Sequence, residues 1–189
     1  MRTFILLISL FLPFTLFAQS IDGFGGFKFG TKQKKICETS WVKNNIKDKR
    51  GGEIELHIFV SPLQLDAQEY DLCVYQFHQN KLYGGIMAQT FATQEDLLKA
   101  LDGLKDSLKV DCREETPAMP SIIKEYYFRD SRKNELTAQA VKERKRFILR
   151  LHYFSYKLTT KKNEAEEKRR QEEWNKPMDG EADVRDIDE

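Results

Sequence analysis

The chain predicts an α+β fold: two tandem α-β-β-β units forming a six-stranded antiparallel sheet with helices on one face, followed by a charged C-terminal helix and a disordered acidic tail. Three observations lead there. Two segments carry apolar residues at a period near 3.6, and each is followed by three runs in which the period drops to 2. The length, 189 residues, suits one domain with a single core once an N-terminal leader is set aside. Beyond residue 160 apolar periodicity gives way to charge.

Residues 1–18 hold Arg2, an apolar run from Phe4 to Phe17 broken by Pro13, and Ala18. One basic residue, a stretch shorter than the ~20 apolar residues of a spanning helix, and a small residue at the cut describe a cleaved secretory signal. The expectation is an exported protein, periplasmic or extracellular, starting near Gln19, with no integral membrane segment after cleavage. No cysteine lies near the cut to carry a lipid.

Residues 23–30 alternate glycine with aromatics. No strand precedes them as a phosphate loop requires, so Phe27 and Phe29 are expected on the core and Gly30 at a turn into a helix. Thr31 reads as that helix's N-cap, Ile36, Cys37, Trp41 and Val42 as its apolar face, and Asn44 or Asn45 as its end. From Gly52 the period becomes 2: Ile54, Leu56, Ile58 and Val60 share one face of a strand. Pro62, Gln64, Asp66 and Gln68 make a connection, Tyr70 to Phe77 a second strand, Gln79 and Asn80 a tight turn, and Lys81 to Phe91 a third strand. Gly84 and Gly85 within it suggest a bulge or a close backbone approach.

Residues 94–108 form the second helix. Thr93 and Asp96 complete a capping box, and Leu97, Leu98, Leu101, Leu104 and Leu108 make one stripe that belongs against a sheet. After a loop bounded by Pro117 and Pro120 come strands Ile122 to Phe128, Leu136 to Val141, and Phe147 to Tyr156. The last sets Phe147, Leu149, Leu151 and Tyr153 against Ile148, Arg150, His152 and Phe154, so one face should be buried and the other aromatic and partly wet. The domain is expected over 19–160, a solvated helix held by i,i+4 ion pairs over 161–176, and disorder over 177–189.

Without Arg2, 30 basic residues face 30 acidic ones. Residues 161–189 hold 7 basic and 11 acidic side chains, which leaves the body at +4. That is too sparse for the basic face phosphate neutralisation needs, and it argues against nucleic acid as a partner. Cys37, Cys73 and Cys112 allow one disulfide of any of three pairings and one free thiol, or three buried thiols. They lack metal-ligand spacing, so neither metal nor cofactor is expected.

Tyr126, Tyr127, Phe128, Tyr153, Phe154 and Tyr156 crowd the second strand group together with Arg150, and Tyr and Arg are the residue types that anchor interfaces. These seven residues are the expected binding surface for a protein partner. The expected function is therefore a non-enzymatic binding or envelope-associated protein. Two alternatives are a small thiol-dependent or hydrolase-like enzyme using Cys73 with a histidine, and a self-associating structural component of the envelope.

The sequence Phe27-Lys28-Phe29-Gly30 leading into a helix, the strand start Lys81-Leu82-Tyr83, and the repeated helix-then-hairpin order resemble small exported bacterial proteins with the fold of the β-lactamase inhibitor protein. The small lipoprotein of the outer-membrane assembly machine shares that fold. The resemblance spans about residues 24–156 and implies a sheet whose exposed face or edges bind another protein, with no catalytic site. This chain lacks the lipid-attachment cysteine of the assembly lipoprotein and the two-disulfide pattern of the inhibitor.

Overall fold

The computed structural model describes residues 21–52, 54–65 and 68–175; the expected signal at 1–18 and tail at 177–189 lie outside them. The chain begins with a small hairpin, β1 (Gly23–Phe24) and β2 (Phe27–Lys28), then helices α1 (Gln33–Cys37) and α2 (Ser40–Lys43). Strands β3 (Ile46–Gly51) and β4 (Glu55–Val60) follow, then a hairpin of β5 (Leu63–Leu65) and β6 (Gln68–Tyr70), then β7 (Leu72–His78) and β8 (Lys81–Phe91). After α3 (Gln94–Ser107) come β9 (Asp111–Glu115), β10 (Ile122–Arg129), β11 (Glu135–Glu143) and β12 (Arg146–Phe154), and finally α4 (Tyr156–Trp174). None of these helices is long and apolar enough to cross a membrane.

The main sheet has eight antiparallel strands in the order β3-β4-β7-β8-β12-β11-β10-β9. The six expected strands are all present, and each half of the chain adds one more, β3 and β9, to make four. Both additions are edge strands. They carry charge rather than alternating apolar residues, since an edge has little to bury, and so they leave no period-2 signal.

The core lies on one face of this sheet. Ile58, Val60, Cys73, Tyr75, Phe77, Met87, Leu149, Leu151, Phe128 and Leu136 pack there against Leu97 and Leu101 of α3, Ile36 of α1, Val42 of α2 and Phe24 of β1. Thr93 caps α3, its hydroxyl oxygen accepting from the Asp96 amide at 3.1 Å while the hydroxyl donates to the Asp96 carboxylate at 2.7 Å. Leu97 and Leu101 are fully buried, each contributing about 2 kcal/mol. Gly85 is required on this face: a Cβ there would run into the Phe24 ring. The neighbouring bulge, where the register slips between Gln76 and Phe77 opposite Gly84 and Leu82, meets the other half of the expectation for the glycine pair.

The first helix departs from expectation. Thr31 donates back to the Lys28 carbonyl instead of capping, and the chain breaks at Thr39, whose extended backbone separates α1 from α2. Thr39 and Ser40 are weaker helix formers than Glu38 before them, and the two short helices can each follow the core. Phe27 stacks on Trp41 at 5.5 Å, and Gly30 takes φ +86 before α1. At the other end, β12 stops at Phe154 and α4 starts at Tyr156, five residues before the expected boundary. Ser155 turns the chain, its amide held by the Tyr83 carbonyl at 2.8 Å. All three cysteines are free thiols.

Candidate functional site

Strand parity sends alternate residues to opposite faces, and among the described residues only α4 crosses the face away from the core. The register arranges that open face in ladders. One runs Arg50, His57, Gln76, Gly84, Phe154, Glu135, Arg129, Asp111 from edge to edge. The next runs Asp48, Phe59, Val74, Ile86, His152, Thr137, Tyr127, Arg113, and a third runs Leu72, Ala88, Arg150, Gln139, Glu125, Glu115. Phe59, Leu72, Ile86, Ala88, Ile148 and Tyr127 are half-buried there, interleaved with Arg150, His152 and Gln139.

The seven residues expected to form one surface are divided by this parity. Tyr127, Arg150 and Phe154 stand on the open face. Tyr126, Phe128 and Tyr153 face the core, which corrects the expectation: Tyr126 is 2% exposed and donates its hydroxyl to Asp102 of α3 at 2.9 Å, Phe128 is fully buried, and Tyr153 packs on Phe24 with ring centroids 5.6 Å apart. Tyr126 and Tyr127 are chain neighbours and so cannot share a face. Tyr156 has left the sheet for α4, where Arg129 and Lys133 lie 5.8 and 5.4 Å from its ring. Arg113 covers Tyr127 at 4.5 Å, and burial together with a hydrogen bond to Glu135 pushes the Tyr127 hydroxyl up to about 12.

The α4 helix has no buried residue, so it does not dock by an apolar stripe. Its hold on the sheet is polar. Glu55 Oε1 accepts from Tyr83 Oη at 2.5 Å, from Lys162 Nζ at 2.8 Å, and contacts His57 Nε2 at 3.1 Å. Burial alone would raise the Glu55 carboxyl, but the hydrogen bonds from Lys162, Tyr83 and His57 outweigh it and hold the group down to about 2. The Lys162 ammonium also lies 5.2 Å from the Tyr83 ring. With Tyr156 against Arg129 at one end and Lys162 against Glu55 at the other, α4 crosses one end of the open face and leaves the remaining ladders uncovered. From Glu167 to Trp174 every residue is exposed. Sequence reasoning missed this hub because its members are far apart in the chain and nothing local marks them as partners.

Cys73 and the histidines do not meet. Cys73 is fully buried on the core face, and burial drives its thiol pKa far up. His57 and His152 stand on the open face. They are separated by three strand spacings, about 14 Å. Burial, with Arg150 nearby, lowers the His152 pKa and keeps the ring neutral at pH 7. Among the described residues no three His, Cys, Asp or Glu side chains gather to hold a metal ion. A charged depression near the far edge, about 440 Å³, is lined by Lys109, Arg129 and Arg132 against Asp22, Asp111 and Asp130, a balance that selects neither anion nor cation. Comparison with family models, with characterised proteins and with solved structures found no match.

Proposed function

We propose that this chain is an exported, non-enzymatic binding protein that presents the open face of its sheet to a protein partner. The observation that carries the reading is the second and third ladders: half-buried Phe59, Leu72, Ile86 and Tyr127 alternate with Arg150 and His152 on a face that α4 crosses only at one end. Aliphatic and aromatic side chains with an interspersed Arg are the composition of an interface centre. The N-terminal signal pattern supports export, and the resemblance to inhibitor-like exported proteins supports a sheet used for binding. A thiol enzyme finds less support, because Cys73 sits under the core face with no histidine beside it.

The test is capture from the native envelope by the chain from Gln19 to Glu189, compared with Ile86→Lys on the open face and Lys99→Ala on the exposed side of α3. A protein retained by the unaltered chain and by Lys99→Ala but lost with Ile86→Lys supports the proposal. Equal retention by all three, or none, counts against it.

A further inference from the structure

The two edges of the sheet carry opposite charge. At one end β3 holds Lys47, Lys49 and Arg50 against Asp48; at the other β9 holds Asp111, Glu114 and Glu115 against Arg113. Both are mainly exposed, and among the described residues each pairs with one strand only. Charge on an edge strand ordinarily prevents indiscriminate pairing. Here it opposes like edges and favours one combination. We infer that β3 of one copy of this chain pairs with β9 of a second copy, extending the sheet head to tail.

Direction and register both fit. Seven antiparallel steps separate β3 from β9, so the two edges run in opposite directions. A copy shifted sideways therefore meets its neighbour in antiparallel pairing with the core faces on the same side. Asp48 and Arg50 share the open face with Asp111, Arg113 and Glu115. Keeping faces matched, one alignment sets Asp48 opposite Arg113 and Arg50 opposite Asp111, and brings Lys47 to Glu114. Sliding by two residues either way sets Asp48 against Asp111 or Arg50 against Arg113. Opposite charges directly across a strand pair stabilise it and like charges oppose it, so complementarity selects one register as well as one partner. In the isolated chain Arg50 pairs with Asp48 at 2.6 Å and Arg113 with Glu115, local ion pairs that can be exchanged across the joint. A contact between two different edges leaves one free edge of each kind after the first pairing, so it propagates, into a ring if the rotation closes and into an open filament if it does not.

Sedimentation velocity of the chain from Gln19 to Glu189, over a concentration series at low ionic strength, reads this out. The unaltered chain should form a concentration-dependent series of species beyond the dimer. Arg50→Glu and Asp111→Arg should each weaken association about tenfold, with circular dichroism confirming that both are folded. Mixing the two variants should restore association, because the altered β3 of one meets the altered β9 of the other. Lys145→Glu, at the β11–β12 turn, should change nothing. A chain that stays monomeric throughout overturns the inference. So does a dimer abolished by Asp111→Arg but indifferent to Arg50→Glu, which would mean β9 pairing with itself. The pairing uses the two outermost strands, whereas the proposed binding role rests on Phe59, Leu72, Ile86 and Tyr127 of the inner strands, so either result leaves that role standing.

Discussion

Glu55→Gln is the sharpest test of how α4 is held. The substitution keeps the shape of the side chain and an oxygen for the Tyr83 hydroxyl, but it removes the countercharge of Lys162, whose side chain is 16% exposed. The folded carboxyl at about 2, against its usual 4.5, corresponds to roughly 3 kcal/mol by linkage. Because the carboxylate is 30% exposed, solvent screening reduces the expected loss to about 1.5 kcal/mol at pH 7. The folded pKa is depressed, so this stability is fully present above pH 4.5 and is lost as pH falls through about 2. Urea denaturation of both forms at a series of pH values measures the gap. It should be near its maximum at neutral pH, shrink below about pH 5 and close near about pH 2. Hydrogen exchange should show the amides of residues 158–166 opening more readily in the variant. A gap that stays constant from pH 7 to pH 3, or unchanged exchange in that segment, would refute the polar docking described for α4.

Two further outcomes follow from parity and burial. Phe128→Ala should cost about 4 kcal/mol and Phe154→Ala about 1 kcal/mol in urea denaturation, since Phe128 is fully buried while Phe154 stands on the open face; equal losses would mean the faces are misassigned. With a thiol reagent at neutral pH, exposed Cys112 should react first, half-buried Cys37 more slowly, and Cys73 only on unfolding; native-state labelling of Cys73 would contradict its burial.

Local pattern determined a large part of this molecule. The period of 2 in Glu55–Val60, Leu72–His78, Lys81–Phe91 and the three later strands is written in neighbouring residues, and so is the leucine stripe of α3 behind its Thr93 cap. The amino-acid order alone therefore makes these elements legible. Gly84 and Gly85 announce a bulge and a close approach because a missing Cβ is a local fact, although the ring that needs the space at Gly85 is that of Phe24 in β1.

What the tertiary structure alone decided has no signature within a single segment. Strands β3 and β9 became strands because β4 and β10 offered their free edges, not because their own charged sequences repeat at 2. Tyr126, Tyr127 and Phe128 look like one aromatic cluster in the chain. Only the packing of α3 on one side of the sheet showed that alternate members belong to the core and to solvent. The attachment of α4 rests on Lys162 reaching Glu55, a meeting of ions from two ends of the domain. Backbone periodicity is set by bonds between neighbours, whereas burial and ion pairing depend on which surfaces the folded chain brings together.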